Sequence, residues 1–191
     1  MNILTIDADY VYSPSISQYD DYVDGSRIEL SEQLAVIEAI GCDAIENPLK
    51  VNDVITCLKR VKLNAPVHVV QHHHEILKFL PKTIDFKMFN VDHHHDIYYP
   101  GWHDKDLLDE GNWVFHMKGC AEYTWIRNED SEDIAECTLS FPVLEFLFSE
   151  KLSEGLPEFD MVIFCESPHW TGGKGKTTIS KLITELNELC M

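Results

Sequence analysis

A single-domain α/β fold, with a mainly parallel sheet between helices, is predicted by three features of the sequence. Short runs of β-branched and apolar residues alternate with segments whose apolar residues recur at helical spacing. Several runs are apolar throughout instead of alternating with polar residues, as strands buried on both faces are. The 191 residues, 45 % of them hydrophobic, suffice for one full core. The expected architecture is three-layered, α/β/α, with residues 1–191 as one domain.

The elements follow in order. MNILTID, Met1 to Asp7, reads as a buried strand. SPSISQYDDYVDGSR has turn formers and no period, so it reads as a loop. Ser31 opens SEQLAVIEAIG, a helix that Gly41 stops. NDVITCLKRVK reads as a second helix from about Asn52, and VHVVQ after Pro66 as a strand. HEILKFL reads as a helix ending at Pro81, and FKMFNVD as a strand. GNWVFHMKG and EYTWIR look like strands or strand ends, and FPVLEFLFSEKL looks helical. FDMVIFCESP is a strand running into a turn, and TTISKLITELNEL is a closing amphipathic helix.

Composition excludes some functions. A formal net charge of −18 argues against binding nucleic acid or an anionic membrane and favours a cationic substrate. The six cysteines form no CxxC pair and read as reduced thiols of a cytoplasmic protein. No signal-peptide pattern and no apolar run of membrane length are expected. Oligomeric state is open.

Six of the ten histidines lie in two clusters, VVQHHHEILKF and VDHHHDIYYP. Sites in open parallel sheets form beyond the carboxyl ends of strands. Here strands end in Asp7 and Asp9, in His72 to Glu75, in Asp92 to Asp96, and in Glu166. Alternate residues of an extended chain point to one side, so Asp92-x-His94-x-Asp96 would present carboxylate, imidazole, carboxylate. Asp7-x-Asp9 would present two carboxylates, and His93 and His95 would face away. With one histidine of the 72–74 cluster, that makes four carboxylates and two imidazoles. Buried carboxylates need partners, and so oxygen-rich a set suits a pair of Mn²⁺ ions better than a structural zinc.

The strand-end motif DHHHD, Asp92 to Asp96, resembles the DxHxD motif of the arginase, or ureohydrolase, superfamily. QHHHEIL is similar to its other metal motif. ESP, Glu166 to Pro168, resembles the glutamate that holds the substrate guanidinium. TIDADY carries the matching DxD but stands at the N-terminus, which implies a rearranged strand order. A compact group with this order and a later GNW includes the peptide arginases that convert peptide arginines to ornithines in maturing ribosomal natural products. GNWVFHMKG, with Asn112 and Trp113, fits it.

The resemblance implies that Asp7 and Asp92 bridge two Mn²⁺. Asp9 and His94 would complete one site, and Asp96 with His73 or His74 the other. His74 fits the strand-to-helix pattern, while His73 fits an HxE reading. Glu166 would pair with the arginine guanidinium, and Asp96 would accept the proton of the attacking water. His116, or else His103, would carry a proton to the leaving amine. Tyr98, Tyr99, Trp102 and Trp170 are candidates to line a peptide cleft. The implied reaction is hydrolysis of an arginine-containing peptide to ornithine and urea.

Two other functions compete with it. VDHH with an N-terminal DxD also resembles the DHH manganese phosphoesterases, although MNILTIDAD lacks the histidine that usually precedes their DxD. The chain could also be a non-catalytic, metal-dependent peptide-binding module. GGKGKTT is no phosphate loop, because Trp170 stands where the motif needs glycine.

Overall fold

Every pairing in the six-stranded sheet is parallel, which is what both-face-buried apolar runs require. In this computed structural model the described residues are 1–13, 45–98, 106–129, 131, 134, 139–148 and 155–189. The helix expected from Ser31, and Tyr99, Trp102 and His103, lie outside them.

The strands are β1 (Asn2–Asp7), β4 (Val67–Val70), β5 (Phe86–Val91), β6 (Cys120–Arg127), β7 (Val143–Leu147) and β8 (Met161–Cys165), and their order is β4-β8-β1-β5-β6-β7. The first strand is thus central, between β5 and β8. A small antiparallel pair, β2 (Tyr12–Ser13) and β3 (Ile45–Glu46), stands apart from the sheet.

Alternation sends successive side chains to opposite faces. Leu4, Ile6, Phe89, Val91, Val162 and Phe164 pack on one core, and Ile3, Met88, Tyr123, Trp125 and Ile163 on the other. The first core is covered by α1 (Pro48–Leu58) and α2 (Gly175–Leu189). Asn47 caps α1 by accepting the Leu49 amide at 3.0 Å, and Pro48 opens it. That N-P signal puts the start four residues before the Asn52 expected from periodicity. Thr178, Ile179, Leu182 and Leu186 form the buried stripe of α2. Among the described residues no helix is long and apolar enough to cross a membrane.

The second face is covered differently from expectation. His73–Lys78 forms a short 3-10 helix, not an α-helix, and residues 110–116 are successive turns, not a strand. The cause in the second case is local polar competition. Asp109 Oδ1 accepts from the Gly111 amide at 2.9 Å, and Asn112 Oδ1 from the Asp109 amide at 2.9 Å. The Asn112 side-chain amide then donates to Leu107 O at 2.7 Å. Trp113, Val114 and Met117, which follow, are buried in the second core.

FPVLEFLFSEKL also departs from its expected helix. Val143–Leu147 is strand β7, in parallel register with Tyr123–Arg127 of β6. A short apolar run is periodically ambiguous, and pairing to an open sheet edge decides it.

The turn after β8 depends on one glycine. A Cβ on Gly175 would lie 1.6 Å from the carbonyl oxygen of Glu166. Alanine is favoured over glycine inside a helix by roughly 1 kcal/mol, so propensity alone would make Gly175→Ala stabilising. The backbone clash opposes this and should win, giving a net loss of about 1–3 kcal/mol in denaturant unfolding. Gly155→Ala, with nothing within 4 Å of its added Cβ, is the control and should be near neutral.

Candidate metal centre

Asp7, Asp92 and His73 emerge from neighbouring parts of the carboxyl edge of the sheet. Asp7 ends β1, Asp92 follows β5, and His73 begins the 3-10 helix two residues after Gln71, which β4 leads into. The two aspartate motifs are not extended, as the alternation argument assumed. Each is a tight turn closed by its first aspartate. Asp7 Oδ1 accepts the Asp9 amide at 2.9 Å, and Asp92 Oδ1 accepts the His94 amide at 2.9 Å. A short side chain that accepts from the amide two residues on outcompetes continued strand once the sheet pairing ends. One oxygen of each aspartate thereby fixes the loop, and the other faces the cluster. Asp96 completes the bend with φ of 52°, in the left-handed region that aspartate tolerates at some cost.

The turns bring six side chains together. His73 Nδ1 lies 2.7 Å from Asp96 Oδ2, 3.0 Å from Asp92 Oδ2 and 3.2 Å from Asp7 Oδ2. His94 Nδ1 lies 2.8 Å from Asp9 Oδ2. Two groups with metal-ligand spacing result, His73–Asp92–Asp96 and Asp9–Asp92–His94, and Asp92 belongs to both. Asp7 also groups with His73 and the buried Cys165. His73 therefore enters the cluster and His74 does not: His74 is half-buried and its ring stacks at 6.0 Å on His72.

His116 belongs to none of these groups; its ring meets Phe115 edge-on at 5.7 Å. Glu166 follows Cys165, whose register partner is Asp7, so it stands at the same sheet edge, half-buried. Trp170 lies beside the cluster, its ring 4.8 Å from that of His94.

A surrounding set of donors fixes the ligand carboxylates, and most of it was not picked out from the sequence. Asn90 Nδ2 donates to Asp92 Oδ2 at 2.9 Å, and Thr5 and Tyr123 hold Asn90 in turn. Trp125 Nε1 donates to the Asp92 carbonyl at 3.0 Å. Trp113 Nε1 donates to Asp96 Oδ2 at 2.6 Å, and the Val114 amide to the Asp96 carbonyl at 3.0 Å. The Trp113 of GNW thus orients a ligand carboxylate. His93 and His95 pack around the cluster, with His93 Nδ1 at 3.1 Å from Asn128 Oδ1 and His95 Nδ1 accepting the Ile97 amide at 3.1 Å. The only readable signal for Asn90 was a polar residue inside an apolar strand.

Electrostatics show why the cluster could hold a cation. Burial, then the Asp9 charge, push the Asp7 carboxyl well above its ordinary value. Burial, then Asp96 and Asp9, push Asp92 up to about 7. Burial also opposes ionisation of Asp9, but His94 outweighs it and holds that carboxyl low. Burial disfavours charge on His73, yet Asp92, Asp7 and Asp96 raise it well above the usual value. His94 is likewise raised to about 10, against its burial, by Asp9, Asp92 and Asp96. Without metal, protons on the imidazoles and on some carboxyls hold the carboxylates together.

The residues fit a metal ion. Asp9 Oδ2 is buried with no hydrogen-bond donor, although His94 Nδ1 stands 2.8 Å away. Two ligand atoms that approach without the alignment of a hydrogen bond are what a shared cation would join. Carboxylate oxygens with imidazole nitrogens are a donor set for divalent metals.

The pH dependence follows in sign. In the metal-free protein His94 has its folded value near 10 against an ordinary 6.5, so its stabilisation is complete below 6.5 and is lost as pH rises toward 10. His73 acts in the same direction. Asp92, raised from 3.8 to about 7, has lost its contribution by the time pH passes 7. The melting temperature of metal-free protein should therefore fall between about pH 7 and about pH 9. A saturating divalent cation should abolish that fall, because it replaces the protons. Calorimetry in buffers of different ionisation enthalpy should show proton release on metal binding. A flat metal-free profile with no proton release would contradict the assignment.

Compared with known protein families, characterised proteins and solved structures, the chain matches none; the reading of this centre rests on its own residues.

Proposed function

We propose that the protein hydrolyses the guanidino group of arginine residues in a peptide, giving ornithine and urea. The observation that carries this reading is a pair of ligand groups, His73–Asp92–Asp96 and Asp9–Asp92–His94, whose five residues share Asp92, with Asp7 against His73. Asp7, Asp9, Asp92, Asp96, His73 and His94 would hold two Mn²⁺, with His73 and Asp96 in one group and Asp9 and His94 in the other. When bound, the two ions supply the acidity that makes water nucleophilic at neutral pH.

The chain's own residues supply the rest. Asp96, held by the Trp113 indole N–H, accepts the proton of the attacking water. Glu166, at the sheet edge next to Asp7, pairs with the cationic guanidinium and orients its carbon toward the cluster. Water adds to that carbon and gives one proton to Asp96; as the bond to the side-chain nitrogen breaks, the added hydroxyl's proton and the one held by Asp96 pass to that nitrogen, so ornithine leaves as a protonated amine and urea as co-product. His116 joins none of the ligand groups, and a proton-carrying role for it is not part of this scheme. The net charge of −18 favours a cationic substrate and disfavours a phosphate ester. Trp170, half-buried beside His94, would pack against the peptide.

The test is urea release and peptide mass change with Mn²⁺-loaded protein, free arginine and arginine-containing peptides. Urea and ornithine are expected from peptides. Asp92→Asn should abolish turnover, since it removes the shared ligand. Glu166→Gln should lower kcat/KM by about 10- to 100-fold, the worth of one charge-assisted contact. Cleavage of phosphate esters without urea release would replace this reading by a phosphoesterase. Peptide binding without any turnover would replace it by a binding module.

A further inference from the structure

A second group of metal-ligating side chains lies beside the aspartate cluster and takes no part in it. His72, Glu110 and His169 come from three separate segments: the bend after β4, the turn before Gly111, and the turn after β8. Their donor atoms all lie within 4.8 Å of one another. Glu110 Oε1 stands 2.5 Å from His72 Nδ1 and 3.8 Å from His169 Nδ1, so one carboxylate oxygen faces both imidazoles. The two rings are 5.5 Å apart.

We propose that His72, Glu110 and His169 form a separate mononuclear centre for one zinc-class divalent cation. Two imidazoles and one carboxylate are a zinc-type set, with remaining positions open to water. The aspartate cluster, richer in oxygen, suits harder ions. Ligands on one such ion stand roughly 3 Å from each other, given metal–ligand bonds of about 2.0–2.2 Å. The observed spacings of 2.5 and 3.8 Å bracket that value, so small side-chain rotations admit the ion. The three side chains are 27 %, 16 % and 13 % exposed, which leaves solvent access for water ligands.

A simple ion pair accounts for His72 with Glu110. His169 reaches the same carboxylate from a different loop, so Glu110 gathers two imidazoles. A further half-buried imidazole, His74, lies against His72, and its Nδ1 is buried without a hydrogen-bond partner. The proposal does not depend on the guanidino reading, because no residue is shared between the two centres.

The test counts zinc retained after gel filtration in wild type, Glu110→Gln and His169→Gln, with circular dichroism as the check on folding. Wild type should retain one more zinc per chain than either variant, whatever number the aspartate cluster holds. The same difference of one should persist when Asp92→Asn is added to all three. Either variant alone suffices if the other does not fold. Equal zinc content in wild type and a folded variant would overturn the proposal.

Discussion

Four aspartates buried within one small volume are the constraint on which the rest of the structure depends. Asp7, Asp9, Asp92 and Asp96 are each at most 4 % exposed. Carboxylates so placed repel one another and lose most of their hydration, and each alone would cost several kcal/mol. The fold tolerates them because His73 and His94 stand among them and because a metal ion can replace the protons they otherwise require.

Much of the neighbouring architecture serves to hold those charges in place. The central position of β1 puts Asp7 between the strands that deliver Asp92 and Cys165. Tryptophans 113 and 125, both fully buried, use their indole N–H groups on Asp96 and on the Asp92 backbone. They join packing on the second core to the orientation of the ligands. Among the described residues the layer over this core is turns and a 3-10 helix, and the turns at 110–116 aim the Trp113 donor at the sheet edge.

The strands β1, β5 and β8 were legible because burial leaves long hydrophobic runs, and β4, an edge strand with Val67 and Val69 exposed, because of its β-branched residues after Pro66. Five of the cluster residues, all but His73, were legible because they end or closely follow such a run. What misled was local. The alternation of Asp7-x-Asp9 and Asp92-x-His94 suggested extended chain, whereas carboxylate capping of the next amide but one makes turns. Segment 110–116 hid its turns behind aromatic residues, and Val143–Leu147 carried a pattern that only a neighbouring strand could resolve. The choice between His73 and His74 depended on where the 3-10 helix begins, a tertiary fact that no spacing contains. His72 and His169 follow the adjacent strands β4 and β8, and Glu110 comes from the segment between β5 and β6, so the three meet only in the folded chain.

The central claim is that the aspartate cluster is a two-ion centre built around Asp92. Anomalous diffraction from crystals grown with Mn²⁺, recorded across the manganese edge, tests it most directly. The account requires two peaks about 3.5–4 Å apart, with Asp92 touching both, His73 and Asp96 on one, and Asp9 and His94 on the other. A single peak, or none with the imidazoles still paired directly to the carboxylates, would contradict it.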